Sequence, residues 1–146
     1  MKRLVFTLTL ALSLISLSSF ANEVEVNPAA LQSFNNSFKT ATEVRWSSSN
    51  SFYKADFSLS GQYVSAYYDA EGKMLALTRN ITSLQLPIGL QVNLKKDYDG
   101  FWISDLVEVT NEEGTSYYVT LENADAKLIL KSNSQNWEKF KKQNKS

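Results

Sequence analysis

Hydrophobic and polar residues alternate along residues 51–79, and this pattern predicts short antiparallel strands. The side chains expected on the buried face of the first of these strands are Tyr53, Ala55, Phe57 and Leu59. A period of two residues is typical of a strand with one buried and one wet face. Ser60 and Gly61, and later residues 69–72, are turn formers that tolerate positive φ. The segment therefore predicts hairpins.

Helical spacing occurs in two other segments. Asn27 and Pro28 suit an N-cap and a first helical turn, and the apolar residues that follow predict a helix over 28–39. Pro87 opens a second predicted helix over 87–96. Trp137 and Phe140 lie three residues apart, which predicts a short amphipathic helix over 134–142. The remaining predicted strands cover 43–46, 101–110, 115–122 and 126–131.

The order of these elements resembles a weak duplication, with halves at about 28–79 and 83–131. Trp46 and Trp102 occupy similar places in the two halves, where we expect them to pack in the core or at its rim. The predicted fold class is α+β, an antiparallel sheet with helices on one face and two tandem helix-plus-strands repeats. We expect residues 22–146 to form a single domain.

The first 21 residues have the features of a secretory signal peptide. Lys2 and Arg3 precede an apolar run over 4–17, and Ser19 and Ala21 provide small residues before a cleavage site. A membrane anchor is the less favoured alternative, because a spanning helix needs about 20 apolar residues. The sequence therefore predicts an exported protein with no membrane insertion after cleavage.

The amino-acid composition limits both the cellular compartment that we expect and the kinds of functional site that the chain could form. The chain has no cysteine, and an exported domain without disulfides fits the periplasm or cell surface of a Gram-negative bacterium. It also has no histidine, the usual general base and zinc ligand, so we predict no catalytic residue, cofactor or metal. Removal of Lys2 and Arg3 leaves 13 basic residues against 15 acidic ones, which excludes an electrostatic footprint for nucleic acid.

The predicted outward face of the strands carries the candidate binding residues. They combine aromatic rings with interleaved charges: Phe52, Lys54, Asp56, Tyr63, Tyr67, Tyr118 and Glu122. Such a composition is typical of protein-contact patches. The competing interpretation is that aromatic residues simply favour strands and pair across them. A register slip of one residue would invert the assignment.

Several short motifs are similar to those of a known group of proteins. They lie in order along residues 28–131 and include Ala41 to Trp46, Tyr53 to Phe57, Tyr67 to Lys73, Leu86 with Pro87, and Gly114 to Val119. Together they resemble the exported beta-lactamase-inhibitor-like proteins with PepSY-like domains, which are common in Bacteroidetes. The resemblance implies a helix-plus-antiparallel-sheet unit, used twice, in an exported protein. Fold similarity alone does not establish inhibition.

Three functional hypotheses follow. The first is a non-enzymatic binding module that inhibits or chaperones an envelope or secreted protein, with Tyr63, Tyr67 and Tyr118 as anchors. The second is glycan or small-ligand binding at the same aromatic face. The third is a carboxylate-dependent hydrolase, which would require Glu108, Asp105 or Asp56 to converge in a pocket.

Overall fold

The structure is a computed structural model that describes residues 24–133 and 135–145. The predicted signal peptide, residues 1–21, lies outside the described residues. The first half contains helix α1 and four strands: α1 Pro28–Ser37, β1 Thr42–Ser48, β2 Tyr53–Leu59, β3 Gln62–Tyr68 and β4 Met74–Asn80. A 3-10 turn over Ser83–Gln85 leads into the second half: α2 Ile88–Asp97, β5 Trp102–Asn111, β6 Gly114–Glu122, β7 Ala126–Asn133 and β8 Asn136–Asn144.

The strands form one antiparallel sheet whose spatial order is the chain order, β1 to β8. Seven antiparallel pairings join them, and only the β4–β5 connection carries a helix. The predicted α+β class, with an antiparallel sheet and helices on one face, is confirmed.

Helix α1 covers the first half of the sheet. The Asn27 side chain accepts a hydrogen bond from the backbone N–H of Ala29 at 2.8 Å, and Pro28 occupies the first turn, so the predicted cap is present. The helix buries Ala30 and Phe34 against the sheet. The cluster beneath it consists of Ala55, Phe57, Val64, Ala66 and Tyr68, with Trp46 at its margin.

Helix α2 covers the second half in the same way. Leu90 and Leu94 face a cluster of aliphatic residues from the strands: Leu106, Val119, Leu121, Leu128 and Leu130. The indole N–H of Trp137 donates to the Leu90 carbonyl oxygen at 3.0 Å, which ties β8 to this helix. Each half of the sheet therefore has its own core on the helix side.

The predicted helix over 134–142 is wrong, because residues 136–144 form strand β8. This strand pairs with β7 from Asn133 opposite Asn136 to Ala126 opposite Asn144. Residue 134 lies outside the described residues. The spacing of Trp137 and Phe140 suits a helix, but in a strand the same odd separation sends the two rings to opposite faces. With β8 in place, each half has one helix and four strands, and the second half extends beyond the predicted boundary at 131.

The β3–β4 turn holds α1 against the sheet. Gly72 has φ +83°, and a Cβ atom there would lie 2.5 Å from the Ala29 carbonyl oxygen. The Ser33 hydroxyl donates to the Gly72 carbonyl oxygen at 2.6 Å. Only glycine combines this backbone conformation with so close an approach.

Candidate binding surface

The side of the sheet away from α1 and α2, here called the open face, carries the candidate binding residues. Residues directly opposite each other in an antiparallel pair project to the same side. Lys54 lies opposite Tyr67 and Asp56 opposite Ser65. Ala55 and Phe57, which alternate with them, are buried beneath α1. Lys54, Asp56 and Tyr67 therefore project away from the helices.

The same face continues across the centre of the sheet into the second half. Tyr67 lies opposite Ala76, and Thr78 lies opposite Val109. Val107 in turn lies opposite Tyr118 of β6, so the open face extends to that strand. The open face is thus one continuous surface that spans both halves.

A small apolar cluster lies at the middle of the open face. Ala76, Val107 and Val109 are buried there, and the Tyr67 and Tyr118 rings pack against them. No helix of the described residues covers this side, so the two tyrosine rings are what shields the cluster from water. Tyr67 and Tyr118 therefore support the sheet as well as forming its surface.

Two further rings extend this cluster into a row of aromatics. Phe52 contacts Tyr67 with ring centroids 5.4 Å apart, and Phe140 contacts Tyr118 at 5.6 Å, both edge to face. We call Phe52, Tyr67, Tyr118 and Phe140 the aromatic strip. It runs from the β1–β2 connection to β8.

Lysines lie over three rings of the open face. The ammonium of Lys54 is 5.9 Å from the Tyr67 centroid, and that of Lys131 is 5.7 Å from the Tyr118 centroid. Lys145 lies 5.1 Å from the Trp102 ring. At these distances each cation is attracted by the ring quadrupole.

Two of these three lysines, Lys54 and Lys145, form ion pairs with carboxylates. Asp56 forms an ion pair with Lys54 at 3.0 Å and accepts a hydrogen bond from the Ser65 hydroxyl. Glu122 pairs with Lys145 at 2.7 Å. Hydrogen bonding from Lys145, and next from Ser104, lowers the pKa of Glu122, so this carboxylate stays ionised at neutral pH.

The structure places all seven predicted residues on this face, but not in one cluster. Phe52, Lys54, Asp56 and Tyr67 are grouped near the start of the sheet by the contacts described above. Tyr118 and Glu122 lie on β6, in the second half. Tyr63 lies opposite Ser58 near the β2–β3 turn, with 74% of its surface exposed. Their role in binding stays a prediction.

Sequence reasoning missed two aromatic residues of the open face. Phe140 was assigned to a helix that does not form. Trp102 was expected to pack in the core or at its rim, yet it is 54% exposed and lies opposite Glu122. A bulge between Ile103 and Asp105 shifts the alternation by one residue, which moves Trp102 to the open face. Trp46 does pack at the rim of the core, with its ring 5.3 Å from that of Phe34.

The three carboxylates of the hydrolase hypothesis do not converge. Glu108 lies on the helix side, where its Oε1 accepts from Arg79 Nε at 2.7 Å, and this bond raises the pKa of Arg79. Asp56 lies on β2 and Asp105 on β5, with two strands between them. The hydrolase hypothesis therefore has no carboxylate pair to support it.

Residues 24–133 and 135–145 contain neither a cluster of metal ligands nor a membrane-spanning helix. No three acidic side chains there are placed so that they could hold a metal ion together. None of the helices in the same residues has the length and hydropathy that crossing a membrane requires.

Comparison with solved structures identifies proteins of the same fold. A BLIP-like protein from Bacteroides fragilis superposes with a TM-score of 0.70 at 20% identity, covering 84% of this chain and 89% of that one. A DUF2874 family protein from Bacteroides uniformis gives 0.73 at 18% identity, covering 82% and 90%. A third, from Bacteroides eggerthii and described provisionally as periplasmic, gives 0.73 at 13% identity, covering 83% and 90%.

These likenesses confirm, at the level of the fold, the resemblance that the sequence motifs indicated. A scan against protein-family models and a search of curated proteins each gave no match.

Proposed function

We propose that this protein is an exported, non-enzymatic binding module whose open face contacts another protein. The partner would be an envelope or secreted protein of a Gram-negative bacterium, which the module inhibits or chaperones in the periplasm or at the cell surface. The observation that carries the proposal is the aromatic strip on the side of the sheet that no described helix covers.

The composition of the open face suits a protein interface. Aromatic residues are enriched at the centres of such interfaces, and polar or charged residues surround them. Here the apolar cluster of Ala76, Val107 and Val109 lies at the middle. The ion pairs of Lys54 with Asp56 and of Lys145 with Glu122 lie to either side of it.

The lysines favour a protein partner over a glycan. A sugar ring stacks on the face of an aromatic ring, and a lysine ammonium already lies over Tyr67, Tyr118 and Trp102. A sugar would have to displace these attractive contacts. A protein partner need not displace them, because a protein interface can contact the rings together with the lysines and their paired carboxylates.

The neighbours of this fold support the same reading. One neighbour is described as BLIP-like and another provisionally as periplasmic. Both descriptions apply to the neighbours themselves. These descriptions support a proposal of binding rather than catalysis. The function of each member of a fold depends on the site that it carries. Glycan binding at the same face is the alternative function, and affinity capture with a glycan array distinguishes it from protein binding.

The test is affinity capture from envelope extract with residues 22–146 as bait, followed by measurement of affinity for the captured protein. Tyr67 and Tyr118 shield the buried cluster, so we choose Tyr63→Ser with Trp102→Ser, because these two rings are 74% and 54% exposed. Leu84→Ser with Ile88→Ser is the matched control, since these side chains are 83% and 77% exposed and lie outside the strands.

We expect the open-face variant to weaken binding at least about tenfold, which corresponds to a loss of about 1.4 kcal/mol of binding free energy from two exposed aromatic contacts. The control should bind as the unmodified protein does. Equal binding by all three proteins would contradict the proposal. Binding on a glycan array that the open-face variant loses, without any captured protein, would replace it with the glycan alternative.

A further inference from the structure

A cleft of about 520 Å³ lies where three turns of the sheet meet. The β1–β2 connection contributes Ser51 and Phe52, the β3–β4 turn contributes residues of 69–75, and the β5–β6 turn contributes residues 111–113. Its volume is within the range of small-ligand sites, roughly 300 to 1,000 Å³. The cleft lies at the ends of strands β4 and β5, next to the Phe52 end of the aromatic strip.

The lining combines an apolar wall with an acidic rim. Phe52, Met74 and Leu75 form the apolar part, and 42% of the Met74 surface is exposed. The ionisable residues of the lining are four carboxylates and one ammonium: Asp69, Glu71, Glu112, Glu113 and Lys73. The cleft therefore has an apolar surface, on which an aliphatic group can pack, and an excess of negative charge.

The one ammonium of the lining is already engaged. Lys73 Nζ lies 3.0 Å from Glu112 Oε1 and 3.1 Å from its Oε2, and this ion pair links the β3–β4 turn to the β5–β6 turn. Glu71 and Glu113 are exposed residues of the same lining, so an incoming cation could reach their carboxylates.

The wall of the cleft is held in place before any ligand arrives. Asp69 Oδ1 accepts hydrogen bonds from the backbone N–H groups of Glu71 at 3.0 Å and Lys73 at 2.8 Å. Gly72, between them, lies against Ala29 of α1. A fixed site loses less conformational entropy when it binds.

We infer that this cleft binds an organic cation, namely a guanidinium or ammonium group on an aliphatic stem such as the side chain of arginine or lysine. The stem would lie against Met74 and Leu75, the Phe52 ring would face the cation, and the carboxylates of the rim would neutralise it. A metal ion does not fit, because no three acidic side chains of the described residues converge on one point. The inference does not depend on the proposed function of the open face.

The test is an NMR titration of residues 22–146 with N-acetylarginine amide. N-acetylcitrulline amide, which has a similar shape without the charge, serves as the ligand control. We expect saturable shifts confined to Phe52, Met74, Leu75 and their neighbours with the arginine ligand, and none that saturate with citrulline. Equal binding of the two ligands, or shifts spread over the surface, would overturn the inference.

A pair of variants tests the carboxylates. Glu71→Gln with Glu113→Gln should weaken arginine binding about fivefold, as expected for two exposed charge interactions. Asp97→Asn with Asp99→Asn removes the same charge at the end of α2, outside the cleft, and should leave binding unchanged. Equal affinities of the two variants would contradict a cation site.

The source of the cation is tested with a peptide whose only charged group is the side chain of a single arginine. Tighter binding of the peptide than of the free amide would assign the cleft to a side chain of a protein. Tighter binding of the free amide would assign it to a small molecule. Failure of both ligands to bind would overturn the inference and leave the proposed function of the open face intact.

Discussion

Tyr68 is the residue with the least ordinary environment in the core. Its side chain is 1% exposed beneath α1, and its ring lies 6.0 Å from that of Trp46. No atom of the described residues forms a hydrogen bond with its hydroxyl group. Burial raises the pKa of Tyr68 to about 12. A buried hydroxyl without a partner costs free energy on folding.

We predict that Tyr68→Phe increases the free energy of unfolding by about 1 kcal/mol, because it removes this hydroxyl and keeps the ring. Urea denaturation at pH 7 measures the change. Tyr63→Phe is the control, since Tyr63 is exposed and should change stability by less than about 0.5 kcal/mol. A Tyr68→Phe protein less stable than the original would show that the hydroxyl does form a stabilising bond.

Stability should also fall at alkaline pH for the same reason. An unfolded tyrosine loses its proton near pH 10, whereas folded Tyr68 retains it up to about pH 12. Between these values the unfolded state binds fewer protons, so raising the pH favours unfolding. We predict that the Tyr68→Phe protein loses less stability than the original between pH 9 and pH 11, as measured by urea denaturation. Parallel losses in the two proteins would contradict this account.

The aromatic residues of the open face show where the alternation of polar and apolar residues predicts the side of the sheet on which a residue lies, and where it does not. Tyr67 and Tyr118 lie on the side of the sheet that alternation predicted, because the β2–β3 and β6–β7 pairs contain no register shift. Trp102 does not, because the bulge between Ile103 and Asp105 inserts a residue that leaves no pattern in one sequence. The open face was therefore predictable at its centre and not near the bulged end of β5.

At the scale of elements, Gly72 links a turn to a helix. Alanine at this position would meet the Ala29 carbonyl oxygen and would also have to adopt φ +83°. Gly61 provides a comparison, since its φ is +78° and nothing lies within 4 Å of its Cβ position. The two glycines share a backbone conformation and differ in what surrounds them.

We predict that Gly72→Ala lowers the free energy of unfolding by about 3 kcal/mol or more, through backbone strain and a clash that shifts α1. Gly61→Ala should lower it by about 1 to 2 kcal/mol, the cost of the left-handed conformation alone. Urea denaturation of both variants measures the difference. Equal losses would show that α1 moves away from the turn at no cost.

The elements differ in how well the sequence defines them. The β2–β3 hairpin follows from strict alternation and from Ser60 and Gly61, two local properties that the sequence displays directly. Strand β8 does not, because Trp137 and Phe140 fit a helix as well as a strand and their partners are distant in sequence. Trp137 reaches Leu90 of α2, and Phe140 reaches Tyr118 of β6. Tertiary contacts of this kind decide between two locally acceptable conformations.

At the scale of the whole molecule, two separate cores share one sheet. The clusters beneath α1 and α2 are distinct on the helix side. On the open face, Ala76 of β4 joins Val107 and Val109 of β5 in one cluster that crosses the boundary between the halves. The Arg79–Glu108 ion pair crosses the same boundary on the helix side. The halves are therefore coupled through both faces.

We predict that the two halves unfold together. Two variants report on them separately: one retains only Trp46, with Trp102→Phe and Trp137→Phe, and the other retains only Trp137, with Trp46→Phe and Trp102→Phe. In each, the urea transition followed by tryptophan fluorescence should coincide with that followed by far-UV circular dichroism. Fluorescence that changes before circular dichroism in either variant would mean that one half unfolds first.

The pairing of every strand with its neighbour in sequence has a consequence for how the chain assembles. A polypeptide that emerges N-terminus first can add each strand to an edge already in place, without waiting for a distant segment. Every intermediate sheet then presents a fresh edge, which could recruit another chain. At β8, an edge strand of the sheet that the described residues form, Lys139, Lys141 and Lys142 are exposed. Strand β8 thus carries lysine charges that disfavour the pairing of another strand with this edge.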